Sequence, residues 1–315
     1  MVPAGLERLL GVPVERVARV GSGHAWTLFR GTLADGREVF VKAADPGTAP
    51  DDEAGVFAAE AAGLRWLGEG DGGAGSGGRS DGGSGAGRQG GGGRGGASGG
   101  APVPEVLGAD ESLLVLPWLP SEAPSREAAE RFGRELAVLH AAGAESFGAP
   151  WQGYIAHLPL DNTRAGDWPR WYAERRIAPY LRRAARHLGD ADVRLIERVM
   201  DRIEELGGPA EPPARIHGDL WSGNVVWSGG RAWLVDPAAH GGHRETDLAM
   251  LDLFGAPYLD RVMAAYQEIW PLADGWRARV PLHRLHPLLV HVVLYGGSYR
   301  SAAVDAARAA LRVSW

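Results

Sequence analysis

The stretch IHGDLWSGNVVW, Ile216 to Trp227, sets an acid at Asp219 and an amide at Asn224 in a loop that runs into an apolar segment. A second isolated acid, Asp236, follows the apolar run AWLV. One carboxylate can take a proton from a hydroxyl. An amide and a second carboxylate on adjacent loops can offer oxygen to a hard cation. Together they are the equipment of phosphoryl transfer. In this reading Asp219 is the base, and Asn224 with Asp236 holds Mg²⁺. His217 is expected to brace the loop through a hydrogen bond to backbone or to Asp236, and it counts among the residues around the acceptor.

Composition points to a further group. Lys42, in VFVKA, is the only lysine among 33 Lys plus Arg residues, and asparagine occurs only at Asn162 and Asn224. The Arg, Ala and Gly excess fits a coding bias against Lys and Asn. Where such a bias leaves one lysine, a compact point charge is needed that the broad Arg fork does not replace. Glu60, in FAAEAAGL, lies in the next helical stretch among alanines that suit close packing. A strand lysine paired with a helix glutamate is the kinase device for gripping nucleotide phosphates. Upstream, Gly21, Ser22 and Gly23 form a turn whose backbone N–H groups could approach a phosphate. No helix follows this turn, so it is not a dinucleotide-binding fingerprint.

These residues need elements to position them. VERVARVGSGHAWTLFRGTLADGREVFVKAA alternates apolar and polar residues and predicts three antiparallel strands, with turns at Gly21–Gly23 and at Asp35-Gly36. A helix follows, with Asp51 or Asp52 near its N-cap. Residues 68–100 hold 19 of the 47 glycines. They have no apolar period and predict a disordered insertion. VPEVLGAD and SLLVLPWLP predict a strand pair. The remainder is mostly helical: Ser125 caps one helix, and others span about 168–187, 192–206, 245–254, 259–269, 286–295 and 301–312. The expectation is an α+β fold of two lobes. A nucleotide-binding lobe of antiparallel sheet covers residues 1–120, and a larger helical catalytic lobe covers 121–315.

Bulk properties narrow the class. A chain of 315 residues with 45% hydrophobic content can bury a large core. The net charge of −6 carries no basic stripe for nucleic acid. There is no cysteine, hence no disulfide and no thiolate metal site. No signal-peptide pattern and no run of membrane-spanning length are found, so a soluble, cytoplasmic monomer is expected. Gly218 stands where protein kinases carry an Arg, and few residues separate Asp236 from the next helix. An extended peptide has no docking segment there, so the acceptor is a small molecule or a small group on a protein.

HGDLWSGN, DPAAHGGHRETDLAM, DNTRAGDWPRWYAERRI, LFGAP and HPLLVHVVLYGGSY together resemble the fructosamine/ketosamine-3-kinase family, relatives of the aminoglycoside phosphotransferases. The resemblance covers most of the chain apart from the glycine-rich segment. It implies a kinase-like fold, ATP and Mg²⁺ as cofactors, and phosphorylation of the 3-hydroxyl of a sugar joined through nitrogen to a free or protein amine. The product then falls apart, which reverses glycation. It also implies a hinge at LPWLP, with the Pro117 carbonyl and the Leu119 N–H facing adenine. Trp221 is the expected wall under the sugar. Asp161 and Asn162 are expected to line the acceptor cleft, or to cap a helix. Trp168, Trp171 and Arg175 are further cleft candidates. Arg244 and Glu245 are expected to anchor the loop after Asp236 as an ion pair. A family redox switch through a glycine-loop cysteine is absent, since His24 stands there. The alternatives are a kinase for an aminoglycoside, choline or another small alcohol, and a nucleotide-binding pseudokinase.

Overall fold

The structure is a computed structural model and describes residues 5–23, 26–45, 55–69 and 99–313. A short helix α1 (Leu6–Leu10) leads into β1 (Val14–Ser22), β2 (Trp26–Leu33) and β3 (Glu38–Ala44). Then come α2 (Val56–Glu69), β4 (Gly108–Ala109) and β5 (Leu113–Pro117). The strands form one antiparallel five-stranded sheet in the order β1-β2-β3-β5-β4. The two-residue alternation of β3 and β5 sorts their side chains. Val39, Val41, Leu113 and Val115 pack with Leu6 on one face. Leu114 and Leu116 pack with Phe57 and Leu64 of α2 on the other. Lys42 has the opposite parity to Val41, so it emerges on the α2 side.

The three predicted strands are therefore present. The predicted fourth shrinks to two residues, and α1 was not foreseen. The candidate caps Asp51 and Asp52 lie outside the described residues, as does His24. The glycine-rich segment needs a correction at its ends. Gly68 and Glu69 belong to α2, and Gly100 is buried so close to α3 that an added Cβ would lie 3.2 Å from the Leu139 Cα. Residues 70–98 lie outside the described residues.

The larger half begins with α3 (Arg126–Ala141), where Ser125 accepts the Ala128 N–H at 3.1 Å, as its sequence predicts. A hairpin of β6 (Gly153–Ile155) and β7 (Leu158–Leu160) follows. Next, α4 (Trp168–Tyr172) runs through one π turn (Ala173–Ile177) into α5 (Ala178–Leu188). Then come α6 (Asp190–Asp201) and α7 (Ile203–Leu206). The motif segment supplies β8 (Ala214–Ile216), β9 (Val225–Ser228), β10 (Arg231–Leu234) and β11 (His240–Gly242). These pair as β9 with β10 and β8 with β11. Helices α8 (Arg244–Phe254), α9 (Leu259–Ile269), α10 (Trp276–Tyr295) and α11 (Arg300–Leu311) complete the fold.

Helix α10 starts ten residues earlier than its sequence suggests, because Pro281 and Pro287 hide its first half. Proline has no N–H to give the preceding turn. The Tyr172 hydroxyl meets that need, lying 3.1 and 3.2 Å from the carbonyls of Leu282 and His283.

Helices α3 and α9 cross at Gly133, where an added Cβ would lie 2.2 Å from the Val262 carbonyl and 3.0 Å from the Tyr266 N. Backbone cannot yield there as a side chain can. Gly133→Ala is expected to destabilise the fold by about 1–3 kcal/mol despite its better helix propensity. Thermal unfolding checks this, and an unchanged or raised Tm would count against the close crossing.

Candidate active site

The site lies in a cleft of about 860 Å³ between the sheet half and the helical half. From above, Lys42 reaches across and binds two acids. Its Nζ is 2.7 Å from Glu60 Oε2 and 2.8 Å from Asp236 Oδ1. It also sits 4.7 Å over the Trp26 ring. Burial alone would lower the Lys42 pKa, but the two carboxylates outweigh it and hold the ammonium charged. The same burial raises Glu60, and Lys42 only partly offsets it. Asp236, more open to the cleft, is held below its ordinary value because Lys42 overcomes its desolvation.

From below, the loop between β8 and β9 presents Asp219 and Asn224. Gly218 has φ +81°, and a Cβ there would meet the Ala238 carbonyl at 2.3 Å. Only glycine fits this approach, which explains why no arginine stands here. The Asn224 amide nitrogen donates to Asp219 Oδ2 at 3.0 Å and to the Asp219 carbonyl at 2.9 Å. Its backbone carbonyl takes the Val235 N–H at 3.0 Å, tying the loop to the residue before Asp236. Asp236 itself adopts φ +56°, a strained setting for a non-glycine residue that turns its carboxylate to the cleft. Thus the carboxyl groups of Asp219 and Asp236 face one space. Desolvation, and secondly the charge of Asp236, push the Asp219 carboxyl up to about 7.

His217 braces this loop. It is fully buried, with its Nε2–H directed to the Val235 carbonyl at 2.9 Å and its Nδ1 accepting the Asp219 N–H at 3.3 Å. Its burial lowers its pKa and keeps it neutral. It therefore does not face the acceptor. The sequence reading missed the second brace, Asp247 on α8. Its carboxylate, wholly buried, accepts the N–H groups of His217 at 2.7 Å and Gly218 at 2.9 Å. His140 lies 3.2 Å from the same carboxylate. An acid inside the apolar run ETDLAML was the available signal, since a buried charge needs partners.

The other expected positions divide. Ser22, Gly23, Pro117, Leu119 and Trp221 line the cleft together with Lys42, Glu60, Asp219, Asn224 and Asp236. Gly21 pairs with Leu28 inside the sheet instead. Trp221 is 40% exposed, so it is no core residue. Asp161 and Asn162 do not line the cleft. Asp161 binds Arg175 at 2.8 Å and accepts the Thr163 N–H, while buried Asn162 accepts from Arg176 at 2.7 Å. Neither caps the following helix, a task that falls to Asp167. Trp168 and Trp171 are buried core. Arg244 and Glu245 do not pair with each other, since neighbours on a helix point apart. Arg244 grips Glu211 at 2.7 Å and Glu245 grips Arg279 at 2.5 Å.

Helix α2, which carries Glu60, touches the larger half along its length. A Cβ at Gly55 would lie 2.9 Å from the Tyr154 hydroxyl, and one at Gly63 would lie 3.1 Å from the Ala239 Cβ. Near its end, Arg215 donates to the Trp66 carbonyl and stacks 4.5 Å over the Trp66 ring.

Comparison with known proteins decides the family. The fructosamine kinase family model matches residues 97–312. This chain belongs to the fructosamine kinase family. A solved structure from Thermobifida fusca, provisionally named a fructosamine-3-kinase, is 53% identical and superposes with a TM-score of 0.86 over 99% of each chain. A protein named as a probable ketoamine kinase from Synechocystis sp. is 34% identical over 208 residues, 65% of this chain and 70% of its own. The macrolide 2′-phosphotransferase of Brachybacterium faecium shares the fold, with a TM-score of 0.58 at 17% identity over 97% of this chain and 96% of its own. This fructosamine kinase family member thus has the two-lobed protein-kinase-like architecture and is an ATP-dependent phosphotransferase. Among the described residues no helix is long and apolar enough to cross a membrane.

Proposed function

We propose that the protein phosphorylates the 3-hydroxyl of ketosamines, sugar adducts on free or protein amines, as a deglycation repair activity. The observation that carries the reading is the unbroken chain of contacts from Glu60 through Lys42 to Asp236, and from Asn224 to Asp219. We place the nucleotide half at residues 1–120 and the catalytic half at 121–315.

In this reading Lys42 grips the ATP phosphates, with Glu60 holding its charge in place. Backbone at Ser22 and Gly23 lies over them. Adenine meets the Pro117 carbonyl and the Leu119 N–H; the N–H between them, at Trp118, is already bound to the Glu38 carbonyl at 2.9 Å. The donor set suits Mg²⁺. With the Asn224 amide nitrogen turned to Asp219, its side-chain oxygen and the Asp236 carboxylate remain as hard ligands. Bound there, Mg²⁺ would neutralise phosphate charge. Asp219 takes the proton of the acceptor hydroxyl, and its raised pKa suits a base working near neutral pH. Trp221 walls the sugar.

The charged groups of the cleft support a ketosamine over a polycationic antibiotic. Among the described residues lining it, the only Asp, Glu, Lys or Arg are Lys42, Glu60, Asp219 and Asp236, with no spare carboxylates for several ammonium groups. The test is turnover on ribulose-lysine, fructose-lysine and kanamycin at fixed ATP. Mg²⁺-dependent ADP release is expected with one or both ketosamines and at least tenfold less with kanamycin. The reverse order would overturn the reading.

A further inference from the structure

One wall of the cleft is a row of rings to which the phosphoryl transfer described above assigns no role beyond Trp221. Trp221 meets Phe254 at 6.2 Å between centroids, and Phe254 meets His291 at 4.8 Å. His291 continues to Tyr295 at 5.5 Å and to Tyr299 at 4.7 Å. Trp221, His291 and Tyr295 line the cleft itself. Trp221 and Tyr295 are 40% and 48% exposed, two of the few large apolar side chains left open on the described surface. Open aromatic surface continuous with a reaction centre marks a binding wall.

The chemistry of this wall is specific. It carries no Asp, Glu, Lys or Arg, since the four charged lining residues all belong to the cluster around Lys42 and Asp219. His291 is neutral. Its Nδ1–H is directed to the Pro287 carbonyl at 2.7 Å, and burial lowers its pKa. Such a surface offers ring faces to methylene groups and to a single alkylammonium, and brings no fixed charge to pair with a carboxylate.

We infer that this aromatic ledge is the subsite for the carbon stem of the acceptor's amine, a linear alkylammonium chain such as that of a lysine side chain. The inference rests on the ketosamine reading and adds to it. Trp221 marks the sugar end of the ledge, and Tyr295 and Tyr299 mark the end where the stem leaves the cleft.

The test is a homologous series of ribulose adducts on methylamine, propylamine and pentylamine, measured as kcat/KM at saturating ATP. In the wild-type protein kcat/KM is expected to rise about three- to fourfold per methylene. In Tyr295→Ala the increment is expected to fall below about twofold, while Tyr295→Phe, which keeps the ring, retains it. Because the increment is a ratio within each variant, partial loss of folded protein does not alter it. Turnover with equal kcat/KM across the series, or an increment that survives Tyr295→Ala in full, overturns the ledge alone. No turnover on any member overturns the ketosamine reading and the ledge with it.

Discussion

Asp219→Ala is expected to lower kcat by about 10³-fold while KM for ATP stays within a few-fold. Asp219 stands at the cleft floor, held by the Asn224 amide at 3.0 Å, apart from the Lys42 grip on Glu60 and Asp236. Its removal takes away the proton acceptor and leaves the nucleotide grip intact. A variant that kept wild-type kcat would end its assignment as the base. The same residue makes a second, independent forecast. Burial and Asp236 raise its carboxyl to about 7. Between the ordinary carboxylate range and about pH 7, the folded protein keeps a proton that the unfolded chain has released. Stability therefore falls as pH rises through that window. Asp219→Asn removes the penalty and is expected to raise Tm at pH 8 by about 2–4 °C, with the gain fading toward pH 4. A lower Tm at pH 8 would contradict the burial argument. Activity and stability should thus move in opposite directions at one position.

Lys42→Met is expected to reduce kcat/KM for ATP by about 10²–10³-fold, since it removes the fixed charge aimed at the phosphates. It should also destabilise the protein. Lys42 and Glu60 are 3% and 6% exposed, and Lys42 is the base paired with the Glu60 carboxylate at 2.7 Å, beside a second acid, Asp236. A buried acid that loses its base is costly, and much of the loss is the stranded partner. The double variant Lys42→Met/Glu60→Gln is therefore expected to recover most of the lost Tm and none of the activity. An unchanged kcat/KM for ATP in the single variant would sink the role of Lys42. A double variant as unstable as the single would sink the stranded-charge explanation. The non-additivity is itself the measurement, as in any pair in direct contact.

What the sequence disclosed depended on whether the determining force was local. Alternation in β1 to β3 is written in neighbouring residues, so the strands and the turn at Asp35-Gly36 could be read directly, while Gly21 and Ser22, expected in a turn, extend β1. Lys42 could be placed because strand parity, a scarce residue type and the Glu60 helix agreed. Asp219, Asn224 and Asp236 could be placed because their spacing carries the chemistry. Partners across long distances could not. Arg244 and Glu245 look like an ion pair in sequence, yet their sites on α8 send one to Glu211 and the other to Arg279. Asp161 and Asn162 look like cleft polar groups, but two arginines on the following helix claim them. Asp247 was overlooked for the same reason. Its work is to receive two backbone N–H groups nearly thirty residues upstream, and nothing near it in sequence announces them. The prolines of α10 misled in a further way, since the hydroxyl that completes that helix comes from Tyr172.

Helix α2 has a consequence for control. Many kinases are silenced when the glutamate-bearing helix swings outward and parts the lysine from its acid. Here Gly55 and Gly63 lie flush against Tyr154 and Ala239, and Arg215 latches the far end. A helix seated along its whole length has nowhere to swing. The seat of this helix therefore holds the Lys42–Glu60 pair closed without help from any further element.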